Sequence, residues 1–328
     1  MTRNRRRNEY VCAMPELTVD ADWIRRTFDT LARGSREDLK SYLDSVGAPV
    51  EVSESGVRIR THWLPFDGNS RPRLNQLAER LAEETMAYCI PRSRIEEALD
   101  HAAATGSPNR LSRLEREARD LFVKAAGSGE GGELLLYSLL ESSLGIPQIL
   151  CKMALKTSSN MHIHGVDGVH AQFTDRGNLA IYWGESKVWA TFNAAMSACF
   201  ESVKAFLTDD GTGALNRDML LARDNLDVRD RDLTLELVKY FDNDQPQSQN
   251  VEMRAACLIG FGLDEYASPF DGDGALTRET IVQIENWVSA IKTRTQRLGI
   301  SEFVIEIFCI PFPSAEEFRV AMMRALGQ

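Results

Sequence analysis

Glu185 and Lys187 lie two positions apart in the segment Gly184-Glu185-Ser186-Lys187. Side chains two positions apart on a β-strand project to the same face, so this spacing places a carboxylate beside an ammonium while Ser186 points away. Such a pair suits catalysis, but a salt bridge at a buried strand edge explains the spacing equally well. The triplet alone therefore leaves both interpretations open.

Asp167 is the acidic residue on the strand that precedes this triplet, and neighbouring glycines allow a metal and a phosphate to approach its backbone. Residues 161–173 and 179–189 predict two strands of a β-hairpin, because a polar, turn-forming segment separates them. The hairpin can bring Asp167 and Glu185 to one cation. Mg²⁺ commonly takes one or two carboxylates, with water and phosphate in the remaining positions.

We therefore expect Asp167 and Glu185 to bind Mg²⁺, with Mn²⁺ as the alternative ion. Beside that cation, Lys187 can hold the nucleophile or help to deprotonate it, and can offset charge on a scissile phosphate. The chemistry expected from Asp167, Glu185 and Lys187 is phosphodiester hydrolysis.

A further carboxylate is expected from the helix that precedes the hairpin. The sequence predicts a strongly apolar helix over residues 133–144, after a flexible glycine-rich segment that lacks the G-K-[ST] ending of a P-loop. Glu133, its first residue, is the favoured third metal ligand, and Glu130 and Glu141 are competing candidates. An acid that only complements the helix N-terminus remains the alternative for Glu133.

The order of the elements predicts an α/β domain over residues 109–328. After the hairpin we predict helix, strand, helix and strand, over residues 191–207, 255–261, 277–298 and 303–312. Residues 14–108 are interpreted as an N-terminal α/β accessory region without recognisable chemistry. Residues 1–13, which contain four arginines, are interpreted as a flexible tail or an upstream start.

The chain is acidic, with a formal net charge of −10, which opposes long-range attraction to nucleic acid. No apolar stretch is long enough to span a membrane and no secretory signal is evident, so we expect a cytoplasmic protein without a membrane partner. The 6 cysteines are widely spaced without a C-x-x-C pair, which favours buried hydrophobic roles over zinc binding.

Three histidines offer a rival metal site of the cupin type. His162, His164 and His170 share one face by strand alternation, and Asp167 lies on the opposite face unless a bulge intervenes at Gly168. One ion therefore cannot easily use both sets, and structural histidines are the alternative.

These residues and their order resemble the PD-(D/E)xK nuclease superfamily, with Val166 in place of the proline of the motif. The superfamily implies a restriction-endonuclease-like core, in which a helix precedes a mixed β-sheet that carries the motif hairpin, with further helices flanking it.

Roughly the second two-thirds of the chain resembles the HamA family more closely. The segments that carry this resemblance are Gly132-Glu133-Leu134-Leu135-Leu136, Ala154-Leu155-Lys156-Thr157, Gly165-Val166-Asp167-Gly168-Val169-His170 and Trp183-Gly184-Glu185-Ser186-Lys187. The resemblance implies that the chain is the DNA nuclease of the Hachiman anti-phage defence system. It further implies a complex with a superfamily 2 helicase, HamB, which restrains the nuclease until abnormal or phage DNA engages it. The resemblance also explains the acidic charge, because weak intrinsic affinity for DNA would keep a toxic nuclease safe until the helicase supplies a strand. The alternative is a catalytically silent scaffold that binds a helicase or DNA, although the charged trio of Asp167, Glu185 and Lys187 argues against it.

Overall fold

The computed structural model describes residues 21–35, 38–125, 129–151, 153, 167–208 and 214–327. The strands are β1 (Asp44–Ser45), β2 (Val50–Glu51), β3 (Val57–Trp63), β4 (Gln148–Leu150), β5 (Gly168–Phe173), β6 (Leu179–Trp189), β7 (Val251–Gly262) and β8 (Ile305–Phe312). The α-helices are α1 (Ala21–Asp29), α2 (Leu74–Glu83), α3 (Thr85–Cys89), α4 (Arg92–Thr105), α5 (Asn109–Ala125), α6 (Glu130–Ser138), α7 (Phe192–Leu207), α8 (Ala214–Asp224), α9 (Arg231–Val238), α10 (Arg278–Leu298) and α11 (Ala315–Ala325). This mixture confirms the predicted α/β class.

The strands form one mixed sheet in the order β1-β3-β8-β7-β6-β5-β4, with β2 also paired to β3. Strands β3, β8, β7 and β6 run parallel, whereas β5 is antiparallel to β6 and β4 is antiparallel to β5. The β5–β6 pairing, from Gly168 opposite Gly184 to Phe173 opposite Leu179, confirms the predicted hairpin in its described part. Of the first predicted strand, residues 161–166 lie outside the described residues, and Asp167 precedes β5. Strand β3, from the predicted accessory region, lies in this same sheet beside β8.

Helices cover both faces of the sheet, which explains why β7 and β8 are nearly continuous apolar runs. One hydrophobic cluster joins the sheet to α2–α6 and α11, and a second joins its opposite face to α7 and α10. A third cluster packs α1, α8 and α9 near the β4–β6 end. The motif hairpin is therefore held between helices that pack on opposite faces.

The helix predicted over residues 133–144 starts three residues earlier than predicted. Helix α6 begins at Glu130, and a π-helical segment (Leu139–Leu144) continues it to the predicted end. A Cβ atom on Gly131 would lie 2.9 Å from Met322 Cγ, and one on Gly132 would lie 3.0 Å from Val188 Cγ2. The glycines belong to the helix because its first turn packs this closely against α11 and β6.

Candidate active site

The predicted residues Asp167, Glu185 and Lys187 meet at one end of the motif hairpin. Lys187 Nζ forms an ion pair with Glu185 Oε1 on β6. Asp167 lies immediately before β5, and its backbone N–H donates to the Gly184 carbonyl at 2.8 Å. The backbone N–H and the hydroxyl of Ser186 donate to Asp167 Oδ2 at 2.7 and 2.8 Å. The structure thus brings the trio together and fixes the Asp167 carboxylate from the strand that carries Glu185 and Lys187.

The trio contains two carboxyl groups and only one ammonium group. The Glu185 side chain is only 3% exposed, and burial together with the nearby Asp167 charge raises its pKa to about 7, against the opposing effects of Lys187 and a hydrogen bond from Ser202. Burial acts to lower the pKa of Lys187, but the charges of Glu185 and Asp167 raise it above its ordinary value. Two carboxylates therefore share one ammonium, which favours binding of an additional cation.

The donor set fits Mg²⁺ in its chemistry. Asp167 and Glu185 offer the hard oxygen ligands that Mg²⁺ prefers, and one or two carboxylates are sufficient when phosphate and water complete the coordination. Within the described ranges, no three His, Cys, Asp or Glu side chains are grouped closely enough to hold a metal ion. The candidate metal site consequently rests on the pair of Asp167 and Glu185.

Glu133, the predicted third carboxylate, is linked to the trio through Tyr88. The Tyr88 hydroxyl lies 2.8 Å from Glu133 Oε2 and 3.1 Å from the Asp167 carbonyl oxygen. Burial, followed by the charges of Glu133 and Asp167, raises the pKa of Tyr88 well above its ordinary value, so the phenol keeps its proton. Metal binding by Glu133 itself remains a prediction.

The two competing carboxylates have other surroundings. Glu141 is buried, accepts hydrogen bonds from the backbone N–H groups of Arg33 and Gln148 at 2.6 and 2.7 Å, and pairs with Arg92 at 3.4 Å. Glu130 is buried in the first turn of α6 and lines a small apolar cavity beside α11. These contacts give Glu141 a structural role away from the trio.

Sequence reasoning missed three residues that contact the trio or Glu133. They are Ser186, Ser202 and Tyr88. Strand alternation sends the Ser186 side chain away from Glu185 and Lys187, but both its hydroxyl and its backbone N–H reach Asp167 Oδ2, which also lies within electrostatic range of Glu185 and Lys187. Ser202 on α7 and Tyr88 on α3 are brought in only by tertiary packing, which no local spacing reveals.

The rival histidine site is only partly visible, because His162 and His164 lie outside the described residues. His170 is buried, and its Nδ1 lies 2.9 Å from the Ile146 carbonyl oxygen. Burial lowers the pKa of His170 to about 4, although its hydrogen bond to Ile146 opposes the shift. His170 is therefore a neutral core residue, as the structural alternative predicts.

The buried His170 predicts a loss of stability in acid. Between pH 6.5 and 4 the unfolded chain binds a proton at His170 that the folded chain does not, so the free energy of unfolding falls as pH falls, by about 1.4 kcal/mol per pH unit. We expect His170→Asn to reduce the slope measured by urea unfolding across that window by about this amount without abolishing it, because burial also lowers the pKa of His62 to about 4. His101→Asn, which replaces a partly exposed histidine on α4, is the control and should keep the wild-type slope.

Most of the chain matches the model of one protein family. The HamA family model matches residues 40–326. The chain belongs to the HamA family. This membership associates it with Hachiman anti-phage defence, and the match extends through most of the predicted accessory region as well as the hairpin that carries the trio.

Two further findings concern this HamA-family chain. A search of curated proteins found no match. Of the helices in the described part of the chain, none combines the length and the apolar character needed to cross a membrane.

Proposed function

We propose that this HamA-family chain is a Mg²⁺-dependent deoxyribonuclease that hydrolyses phosphodiester bonds. The observation that carries the proposal is the meeting of Asp167, Glu185 and Lys187 at one end of the β5–β6 hairpin, where two carboxylates share one ammonium. This combination supplies ligands for a hard cation and a positive group for a phosphate.

Each residue of the trio has a separate task in this proposal. Asp167 and Glu185 would hold Mg²⁺, which supplies a Lewis acid for the phosphate. Ser186 fixes Asp167 through two hydrogen bonds, and burial fixes Glu185. Lys187 is 26% exposed and therefore accessible to a substrate.

Lys187 has two expected roles at the site: it can offset negative charge on the scissile phosphate, or it can hold the nucleophile and help to deprotonate it. Its ammonium is paired with Glu185 and 26% exposed, so it can contact a phosphate directly. We propose Lys187 as the electrostatic group of the site.

We further propose that the nuclease is the effector of an anti-phage complex in which a partner helicase restrains it and delivers DNA. Family membership supports this partner, and so does the net charge of −10, which weakens attraction between the isolated chain and DNA. Tight binding of the isolated chain to duplex DNA at physiological salt would contradict this part of the proposal.

A plasmid-cleavage assay tests the nuclease function. We expect the wild-type chain to nick or linearise supercoiled plasmid with Mg²⁺, and we expect no cleavage with EDTA or with the Glu185→Ala/Lys187→Ala variant. Glu306→Gln is the matched control. Glu306 is a buried carboxylate on β8 of the same sheet, and it pairs at 3.0 Å with Arg60 on the adjacent strand β3.

Equal cleavage by the double variant would show that the trio is not the active site. If neither the chain nor its complex with the helicase cleaves DNA, the silent scaffold becomes the correct interpretation.

A further inference from the structure

Tyr88 occupies a fixed position between Glu133 and Asp167. It lies on α3, is 1% exposed, and packs its ring against Tyr137 at a centroid distance of 5.3 Å and against Phe122 at 6.3 Å. The surrounding rings leave the phenol little freedom to turn away.

The backbone around Tyr88 is held as firmly as its ring. The guanidinium of Arg33 donates to the Ala87 carbonyl, and the Tyr88 carbonyl accepts a hydrogen bond from Cys151 Sγ at 3.5 Å. These contacts therefore fix the position of the Tyr88 hydroxyl, although Tyr88 precedes Glu133 by 45 positions in the sequence.

The hydroxyl has one proton and two oxygen acceptors within reach. Glu133 Oε2 lies at 2.8 Å and the Asp167 carbonyl oxygen at 3.1 Å, and a carboxylate is the stronger acceptor. The same oxygen atom thus contacts the first turn of α6 and the backbone from which the Asp167 carboxylate extends. A displacement of Tyr88 would alter the separation of these two acids.

We propose that Tyr88 is a positioning residue, which ties the Glu133 carboxylate to the Asp167 segment and so holds Asp167 where it can bind the metal beside Glu185. This inference rests on the proposed nuclease function. Groups that orient ligands in this way typically change metal affinity or activity by about 10- to 100-fold when they are removed.

Tyr88→Phe tests the proposal because it removes the hydroxyl and keeps the ring. We expect the Mg²⁺ concentration for half-maximal cleavage and the Mn²⁺ dissociation constant measured by calorimetry on the protein alone to rise by about 10-fold or more. The KM for DNA and the thermal midpoint should stay close to those of the wild type. Tyr137→Phe is the matched control, since Tyr137 is an equally buried neighbour whose hydroxyl bonds neither Glu133 nor Asp167 in the described structure.

A double-mutant cycle separates positioning from a general packing role. Tyr88→Phe and Glu133→Gln act on one hydrogen bond, so the double variant should lose little more Mn²⁺ affinity than the more severe single variant. Additive losses would overturn the proposal. If Tyr88→Phe fails to fold, Glu133→Ala removes the same hydrogen bond from the other partner and should raise the Mn²⁺ dissociation constant by about 10-fold, and an unchanged constant would overturn the proposal.

A crystal structure of Tyr88→Phe tests the positioning role independently of nuclease activity. We expect the Glu133 carboxylate to move by about 1 Å or more relative to Asp167, a displacement large enough to impair catalysis. An unmoved Glu133 would overturn the positioning role, whether or not the wild type cleaves DNA. Absence of Mg²⁺-dependent cleavage by the wild type would instead overturn the proposed function, and the crystallographic result would still decide the role of Tyr88.

Discussion

Glu185→Gln is expected to lose metal binding, whereas Lys187→Met is expected to keep metal binding and lose cleavage. The first change replaces one of only two carboxylates in the candidate metal site by a neutral amide of the same shape. The second removes the ammonium and retains an unbranched side chain. Since one electrostatic group commonly contributes 100-fold or more to catalysis, we expect kcat of Lys187→Met to fall by about that factor.

Calorimetric titration with Mn²⁺ and cleavage kinetics on the same preparations measure these two roles. The KM for DNA should change much less than kcat in Lys187→Met, because the proposed contact strengthens as charge develops on the phosphate. Circular dichroism confirms that both variants are folded. Unchanged Mn²⁺ affinity in Glu185→Gln would remove Glu185 from the metal site, and unchanged kcat in Lys187→Met would reduce Lys187 to a structural partner of Glu185.

Glu141→Ala is expected to cause the largest loss of stability of any single carboxylate change considered for this chain. The Glu141 side chain is 1% exposed and pairs with Arg92, whose side chain is 7% exposed. Its removal takes one of the two carboxylates beside that guanidinium, leaving Asp227, and frees two backbone N–H groups, of Arg33 and Gln148. Breaking a buried pair of this kind costs about 3–5 kcal/mol.

The free energy of unfolding in urea measures this effect. Glu141→Gln should be intermediate, because the amide still accepts hydrogen bonds but cannot balance the Arg92 charge. Glu115→Ala is the control, since Glu115 forms an exposed ion pair with Arg119 and such pairs add little to stability. A Glu141→Ala protein as stable as the wild type would contradict the structural role and restore Glu141 as a candidate third carboxylate.

The regular elements around the motif were largely predictable from the sequence. Residues 179–189 were predicted as a strand and form β6, and the helix predicted over residues 277–298 begins one residue later as α10. These segments have a clear strand or helix period because each packs against a large hydrophobic cluster. Helices α8 and α9 were missed because their apolar pattern is less regular, with Leu220 and Leu235 exposed at 46% and 56%.

The site was predictable where it depends on spacing along one strand. Alternation placed Glu185 and Lys187 together, and the hairpin placed Asp167 beside them. The start of α6 was not predictable, because Gly131 and Gly132 favour a loop locally and enter the helix through close packing against Met322 and Val188. The role of Tyr88 was not predictable from the sequence either, because only the tertiary fold brings α3 close to Glu133.

Anomalous diffraction from crystals of the chain soaked in Mn²⁺ shows whether Asp167 and Glu185 hold a divalent cation beside Lys187. We expect an anomalous peak about 2.1 Å from carboxylate oxygens of both Asp167 and Glu185. Asp167→Asn/Glu185→Gln crystals, soaked in the same way, should lack the peak. A wild-type peak located at histidines instead, or no peak beside Asp167 and Glu185 at saturating Mn²⁺, would overturn the proposed metal site.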